Sequence, residues 1–231
     1  MKIAILETGA PPSGMEETFG RYGQMFEHLL GERAFDWTVI DVRTGALPQR
    51  PEEFDGYLIT GSAAGVYDPE PWIARTRTFL RETKGKAALV GVCFGHQLMA
   101  EAFGGQVIKS PKGWAIGLHQ YEVMNHRPWM DGAQTIAAPA SHQDQVIIQP
   151  PNSTVLAGSD FTPFGMLAYD DQPAVSIQLH PEFDPAYAKA LIKARRGIRY
   201  SEEMADQGLA SLEQPNDRKR LSRWIGDFFK R

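Results

Sequence analysis

Short apolar runs alternate with amphipathic stretches over the first hundred residues of the chain. The runs typical of buried strands are 2–6, 37–42, 56–60 and 87–92. The stretches in which apolar residues recur at helical spacing are 15–31, 71–84 and 98–103. Strands that alternate with helices of this length predict crossover connections and a mostly parallel sheet.

After Gly104-Gly105 the pattern changes to short strand candidates that turn residues separate. These candidates are 106–108, 118–124, 134–138, 146–149, 154–157 and 166–169. Between these strand candidates, only residues 125–132 could form a helix. Because helices to connect parallel strands are missing here, antiparallel strands are expected beside the parallel ones. One more apolar run, 174–179, precedes a predicted helix at 185–196 and a last helix after Pro215-Asn216.

The pattern as a whole predicts one domain, residues 1–231, in which 190–231 form a helical C-terminal extension. The predicted fold class is α/β, with an open, mostly parallel sheet, helices on both faces and extra antiparallel strands. The last helix carries an apolar stripe at Leu221, Trp224, Ile225 and Phe228. Packing of this stripe on the same domain is the favoured interpretation, and a partner interface is the alternative.

Composition narrows the functional classes. A single cysteine excludes an internal disulfide and suits a reducing compartment. The net charge of −4 argues against a nucleic-acid partner, although residues 189–231 carry a local net charge of +5. The apolar start at 2–6 is too short for a signal peptide, and no run is long enough to span a membrane. We therefore expect a cytoplasmic protein that does not bind membranes.

The only cysteine, Cys93, lies between an apolar strand and a helix. A lone buried cysteine ordinarily behaves as a small hydrophobic residue. Here Gly91-Val92-Cys93-Phe94-Gly95 has the form of a nucleophile elbow, with Cys in place of Ser. Such a turn presents the side chain at a helix N-terminus, where unpaired N–H groups favour a thiolate. The N–H of Phe94 is then expected to donate to an oxyanion.

A second element, His180-Pro181-Glu182, follows the apolar run 174–179. Ligands of open α/β sheets bind at the carboxyl ends of the strands, so His180 and Cys93 are expected in one crevice. Residues i and i+2 of an extended segment face the same side, which lets Glu182 orient the imidazole. Nucleophile, base and carboxylate would then form a triad. The alternative is a strand-end histidine with no special role.

The loop Thr60-Gly61-Ser62-Ala63-Ala64-Gly65 also follows a predicted strand. We expect this loop to supply a second backbone N–H, from Ser62 or Gly61, that donates a hydrogen bond to the oxyanion. The alternative is an ordinary turn with no such role. The loop lacks the Lys-Ser/Thr of a phosphate-binding loop, so no nucleotide is expected there. The histidines show no metal-ligand spacing, and neither a metal nor another cofactor is expected.

Together these motifs resemble the class I glutamine amidotransferases over roughly residues 1–190. The resemblance rests on 91–97, 180–182, the Gly61-Ser62 loop and Ser141-His142-Gln143-Asp144. It is closest to stand-alone members related to the glutaminase domain of GMP synthase and to cytosolic γ-glutamyl peptidases.

The resemblance implies flavodoxin-like layers and a role for each motif. Cys93 would attack the side-chain amide of glutamine or another γ-glutamyl amide, while His180 transfers protons and Glu182 orients His180. The N–H groups of Phe94 and the Gly61-Ser62 loop would hold the oxyanion. The residues expected to contact the substrate are Gln97, Ser141, His142 and Asp144.

Three alternatives stay open at this point. One is a glutaminase that supplies ammonia to a separate synthase or transferase partner. Another is a self-sufficient γ-glutamyl hydrolase. The last is a non-catalytic binding or regulatory module, against which the complete triad argues.

The oxyanion loop departs from the pattern of the family. GMP-synthase-type domains usually carry two glycines and a proline where this loop reads Thr60-Gly61-Ser62-Ala63, so which N–H points into the site stays open.

Overall fold

The computed structural model describes residues 1–231, which form eleven strands and seven α-helices. The strands are β1 (Lys2–Glu7), β2 (Asp36–Asp41), β3 (Gly56–Ile59), β4 (Ala88–Val92), β5 (Gln106–Lys109), β6 (Ala115–Val123), β7 (Thr135–His142), β8 (Asp144–Ile148), β9 (Ser153–Gly158), β10 (Met166–Tyr169) and β11 (Ala174–Ile177). The helices are α1 (Glu16–Phe19), α2 (Tyr22–Leu30), α3 (Pro71–Thr83), α4 (Phe94–Ala102), α5 (Pro185–Arg195), α6 (Glu202–Ser211) and α7 (Arg218–Phe229).

Nine strands form one mixed sheet in the order β2-β1-β3-β4-β11-β10-β9-β6-β7. The strands from β2 to β11 in this order are parallel, and β10, β9, β6 and β7 continue the sheet in antiparallel fashion. Strands β5 and β8 pair separately. The predicted fold class, an α/β protein with a mostly parallel sheet and added antiparallel strands, is confirmed.

Apolar side chains on both faces of the sheet form the core. On one face, Ile3 and Ile5 of β1 pack in a cluster with Phe26 of α2 and Trp224 of α7. The opposite face contacts α3 and α4 in a second cluster. Alternate residues of β1 enter opposite clusters because successive side chains of a strand point to opposite faces. A third, smaller cluster lies beneath α5 and α6.

The apolar stripe of α7 is covered by the chain itself. Leu221, Trp224, Ile225 and Phe228 are all buried in the cluster that contains α2 and the central strands. Packing on the same chain, the interpretation favoured from sequence, is therefore confirmed for these residues. The partner-interface alternative for this stripe is wrong.

Three helix predictions differ from the structure. The predicted helix 15–31 is interrupted at Gly20, where φ is +74°, so α1 and α2 are separate. The predicted helix 125–132 does not form. There the N–H groups of Met124 and Asn125 bond to the Leu156 carbonyl, and Pro128 has no N–H to continue a helix. The helix predicted from residue 98 begins at Phe94, directly after the turn at Cys93.

The sheet order brings two chain segments together that lie far apart in the sequence. Strand β11 pairs with β4 in parallel register, with Ile177 opposite Val92. Cys93 follows β4 and His180 follows β11, so both leave the sheet at the same edge. The carboxyl ends of parallel strands are where open α/β sheets bind ligands.

Candidate active site

The turn at Cys93 has an unusual backbone. Its φ of 51° and ψ of −102° make it one of only two non-glycine residues with positive φ, the other being Asn152. A Cβ at Gly91 would lie 2.6 Å from the Gly95 carbonyl oxygen, and one at Gly95 would lie 2.3 Å from that of Ile59. Only glycine fits at both flanking positions. The strain at Cys93 is of the kind that proteins maintain at functional sites.

His180 and Glu182 are buried and in direct contact. The imidazole Nδ1 lies 2.7 Å from Glu182 Oε1, and both side chains are at most 4% exposed. The His180 ring stacks on Phe183 with 3.9 Å between centroids, and its backbone N–H donates to Pro139. Because Nδ1 is engaged, Nε2 is the nitrogen left to face Cys93.

The charge state of His180 depends on its two neighbours. Burial alone would lower the pKa of His180, but attraction to Cys93 and Glu182 and hydrogen bonds with both raise the pKa well above 6.5. The imidazolium is therefore favoured next to the Cys93 sulfur. The two other histidines near the site behave oppositely, since burial lowers the pKa of both His96 and His142 to about 3.

The loop after β3 passes directly over these groups. A Cβ at Gly61 would lie 2.8 Å from His180 Cε1 and 3.7 Å from Cys93 Cβ. The Gly61 carbonyl oxygen lies 3.1 Å from Thr8 Oγ1 and 3.2 Å from Thr60 Oγ1, and both threonines are fully buried. The Thr8 hydroxyl also lies 2.9 Å from the Thr60 carbonyl oxygen, so its single proton is shared between two carbonyls. Together the two hydroxyls hold the peptide between Gly61 and Ser62 in one orientation.

That orientation determines where the Ser62 N–H points. In a trans peptide the C=O and the following N–H point in opposite directions, and the chain has no cis peptides. The Ser62 N–H therefore points away from the threonine hydroxyls, and it forms no hydrogen bond within the chain. Ser62 lines the same cavity as Cys93 and His180. The Phe94 N–H, at the first position of α4, has no partner within the helix.

A cavity of about 610 Å³ opens above Cys93 and His180. Its wall includes Tyr67, Asp68 and Asp144. Burial raises the pKa of the Asp144 carboxyl, and the charge of Lys109 opposes this shift. Trp114, Arg195, Ile198 and Arg199 also line the cavity, as does Lys109, which pairs with Asp144 across strands β5 and β8. The wall of the cavity therefore carries groups of both charges.

Most of the residues singled out in the sequence line this cavity. Those that do are Gly61, Ser62, Cys93, Gln97, Ser141, His142, Asp144 and His180. Glu182 lies behind His180, and the Phe94 side chain packs on Trp72 in the core, so only its backbone is relevant to the site.

The predicted substrate contacts also have structural partners. Gln97 Nε2 donates to the Asp144 carbonyl at 2.9 Å and to Gln178 Oε1 at 3.0 Å. His142 Nδ1 lies 3.1 Å from the same Asp144 carbonyl. Ser141 Oγ accepts from Arg195 at 3.0 Å. Gln97 and His142 therefore hold the turn that carries the Asp144 carboxylate.

Among the residues of the site that the sequence did not identify, three make hydrogen bonds that position other parts of it. Thr8 ends up beside Gly61, and Arg195 reaches Ser141 from the end of α5. Arg218, at the start of α7, donates to the backbone carbonyls of Pro181 and Glu182 at 2.7 and 3.3 Å. No motif marks any of them, because each acts through contacts across large sequence separations.

No cluster of three or more His, Cys, Asp or Glu side chains is arranged to hold a metal ion. None of the helices has both the length and the apolar character needed to cross a membrane.

Comparison with known proteins gives a consistent result. The family model described as glutamine amidotransferase class-I matches residues 17–196. The chain is 26% identical to γ-glutamyl peptidase 5 of Arabidopsis thaliana over 240 residues, which cover 99% of this chain and 95% of that protein. It is 35% identical to one subunit of the glutamine-hydrolysing GMP synthase of Methanopyrus kandleri over 113 residues, 46% of this chain and 58% of the other.

The fold is likewise found among solved structures. A glutamine amidotransferase from Thermotoga maritima superposes with a TM-score of 0.75 at 19% identity. The alignment covers 99% of this chain and 96% of the other. At this level of identity the similarity concerns the fold alone.

Proposed function

The chain belongs to the class I glutamine amidotransferase family, and we propose that it hydrolyses the γ-amide of glutamine or of another γ-glutamyl compound through a thioester on Cys93. The observation that carries the proposal is the position of Cys93. It lies on a strained turn at a helix N-terminus, beside a buried His180 that Glu182 contacts at 2.7 Å. This arrangement supports the roles of nucleophile for Cys93, base for His180 and orienting carboxylate for Glu182.

In the first half of the reaction the amide is cleaved. His180 holds the proton of the Cys93 thiol, and the sulfur forms a bond with the γ-carbonyl carbon. The tetrahedral intermediate collapses when the C–N bond breaks, and His180 gives its proton to the leaving nitrogen. Glu182 keeps the imidazole in place and stabilises its charged form. The products of this half are a γ-glutamyl thioester and free ammonia or an amine.

The negative oxygen of the intermediate needs hydrogen-bond donors. We assign these to the backbone N–H groups of Ser62 and Phe94, because neither is used within the chain, Phe94 directly follows Cys93, and Ser62 lines the same cavity. The orientation of the Ser62 N–H is held by Thr8 and Thr60. In this assignment the oxyanion hole is formed without a partner protein.

In the second half, water regenerates the enzyme. His180 takes a proton from a water molecule, whose oxygen bonds to the thioester carbon. The same N–H groups hold the second tetrahedral oxyanion. When the C–S bond breaks, the proton returns to the sulfur and glutamate leaves. We assign Asp144, in the wall of the cavity, to the α-ammonium of the γ-glutamyl group, since its carboxylate offers an opposite charge.

A substrate panel tests the proposed function. The isolated chain is incubated with glutamine, γ-glutamyl-alanine and γ-glutamyl-p-nitroanilide, and glutamate and the released amine are both quantified. The expected result is equal release of glutamate and amine from at least one of the three. The shorter amides asparagine and β-aspartyl-alanine are matched controls, and hydrolysis of none of the γ-glutamyl amides would refute the proposal. Acceleration of glutamine hydrolysis by an added synthase would indicate the ammonia-supplying alternative.

The threonine contacts lead to a further prediction. Thr8→Val removes one of the hydroxyls that hold the Gly61 carbonyl and preserves the shape of the side chain. The peptide can then rotate and withdraw the Ser62 N–H, so kcat is expected to fall by about ten- to a hundred-fold with little change in KM. Thr76→Val is the matched control, because Thr76 is equally buried but bonds within α3. Equal effects of the two substitutions on kcat would contradict the assignment.

A further inference from the structure

The last helix is bonded to the segment that carries the proposed base. Arg218, the first residue of α7, donates from Nε to the Pro181 carbonyl at 2.7 Å and from a terminal nitrogen to the Glu182 carbonyl at 3.3 Å. The family model ends at residue 196, so this contact comes from a part of the chain beyond the matched region. The helical C-terminal extension therefore reaches the backbone of the candidate active site.

Strand β7 fixes both sides of this contact. The His180 N–H donates to the Pro139 carbonyl at 2.8 Å. Two residues earlier in the strand, the Ala137 carbonyl accepts from the Asp217 N–H at 2.6 Å, and the Ala137 N–H donates to the Asp217 carboxylate at 2.9 Å. The residue before Arg218 is thus bonded twice to the strand that also holds His180. This leaves the guanidinium little freedom to move relative to the base.

The guanidinium of Arg218 has no carboxylate within 4 Å, unlike that of Arg220 on the same helix, which lies 2.9 Å from Asp131. Burial lowers the pKa of Arg218, and the negative charges of Asp184 and Glu182 oppose this shift. A guanidinium stays protonated in proteins. A positive charge that no ion pair neutralises therefore lies close to Glu182.

The Glu182 carboxylate lies where a negative charge is costly. The residue is 3% exposed, and Oε1 is bonded to the imidazole of His180 at 2.7 Å. The second oxygen, Oε2, is buried without a hydrogen-bond partner. A buried carboxylate with few donors needs an opposite charge nearby to stay ionised. The proposed mechanism requires the ionised form, because only that form stabilises the imidazolium.

Besides the base, the other titratable groups around this carboxylate are neutral or negative. The nearby phenols are Tyr22 and Tyr187, and burial raises the pKa of both, that of Tyr22 to about 12, so they stay uncharged near neutral pH. Asp184, which caps α5, adds a negative charge close to Arg218. Arg218 supplies the positive charge that offsets the burial of the carboxylate from outside the triad.

We propose that Arg218 is a positioning residue of the reaction, which fixes the backbone of Glu182 and, through its charge, keeps the Glu182 carboxylate ionised and directed at His180. This inference rests on the proposed function and assigns a part in it to the C-terminal extension. Arg218 does not line the cavity. Its effect reaches the reaction through Glu182, so it should change kcat and leave KM nearly unaltered.

The test separates the charge of Arg218 from its hydrogen bonds. Arg218→Lys keeps the charge, whereas Arg218→Gln keeps an N–H donor without the charge. For Arg218→Gln, kcat on a γ-glutamyl amide is expected to fall about ten-fold near neutral pH, with KM nearly unchanged. The acid limb of the pH profile should move to higher pH, because the ionised carboxylate loses a charge that stabilises it. Arg218→Lys should keep the native acid limb and most of kcat.

Two further variants complete the experiment. Arg223→Gln is the matched control, since Arg223 is an exposed arginine of the same helix, 3.8 Å from Asp131, and its profile should be native. Asp184→Asn removes the competing negative charge and keeps the oxygen that accepts from the Tyr187 N–H. Its acid limb should move the opposite way, to lower pH. This variant tests the charge effect even where Arg218→Gln does not fold, which thermal unfolding of each variant reveals.

Three results would overturn the inference while the proposed function stands. One is a native kcat and pH profile in folded Arg218→Gln. Another is an equal loss of kcat in Arg218→Gln and Arg218→Lys at every pH, which would assign Arg218 to the fold alone. The third is an acid limb in Asp184→Asn that stays in place or moves to higher pH. Failure of the proposed function is distinguishable, because the native protein itself then hydrolyses no γ-glutamyl amide.

Discussion

Replacing Cys93 by alanine is expected to lower kcat for γ-glutamyl amide hydrolysis by about 10⁴- to 10⁶-fold, because removal of a nucleophile that acts with its base leaves only binding and oxyanion stabilisation. Cys93 is the only thiol in the chain, so no neighbouring cysteine can replace it. The measurement is amine release under saturating substrate, with the native protein at equal concentration.

The fold is expected to survive this substitution. Alanine is smaller than cysteine and faces the same positive φ of 51°, so the strain of the turn is similar before and after. Thermal unfolding of the variant should therefore give a Tm close to that of the native protein. A folded Cys93→Ala protein with native turnover would place the nucleophile elsewhere and contradict the mechanism.

Glu182→Gln should produce the second largest loss and also change the pH profile. The substitution removes a buried negative charge 2.7 Å from His180 Nδ1 and weakens the orientation of the ring. By comparison with other triads, kcat is expected to fall by about 10²- to 10⁴-fold. The substitution keeps the shape of the side chain, so packing around it should be preserved.

The direction of the pH shift follows from the charge. In the native protein, Cys93 and Glu182 outweigh the effect of burial and raise the pKa of His180, so the imidazolium persists above pH 6.5. Activity should then decline on the alkaline side only where the imidazolium finally loses its proton. Without the Glu182 charge the pKa of His180 is lower, and this alkaline decline should begin at a lower pH. Glu213→Gln, an exposed carboxylate paired with Lys189, is the control. An unchanged alkaline limb in Glu182→Gln would show that this carboxylate does not influence the base.

Much of the fold could be predicted from local patterns. The strands at the start of the chain and the helices 71–84, 185–196 and after Pro215-Asn216 are predictable because apolar periodicity and turn residues mark them directly. The helix predicted at 125–132 was wrong because tertiary contacts determine that segment. Its backbone bonds to β9, and Trp129 packs on Phe228 of α7. Helix α6 received no separate prediction, although Ser201 caps its first turn.

The site was predictable only in part, for a topological reason. The motifs at Cys93 and His180 are local, and the rule for carboxyl ends of strands places both at one edge of the sheet. That β11 lies directly beside β4 was not evident, since several antiparallel strands lie between them in the sequence. Thr8, Arg195 and Arg218 belong to no motif. Their contacts with Gly61, Ser141 and the Pro181 carbonyl emerge only when the chain is folded.

The central claim is that a γ-glutamyl group is transiently bonded to the sulfur of Cys93. The most direct measurement is the intact mass of the protein after rapid acid quenching during turnover of γ-glutamyl-alanine or glutamine. The mechanism predicts a fraction of native protein that is heavier by one γ-glutamyl group, located on the peptide containing Cys93 and removed by hydroxylamine. Cys93→Ala should show no such species. Turnover without any adduct on Cys93, or an equal adduct on the Cys93→Ala protein, would contradict the claim.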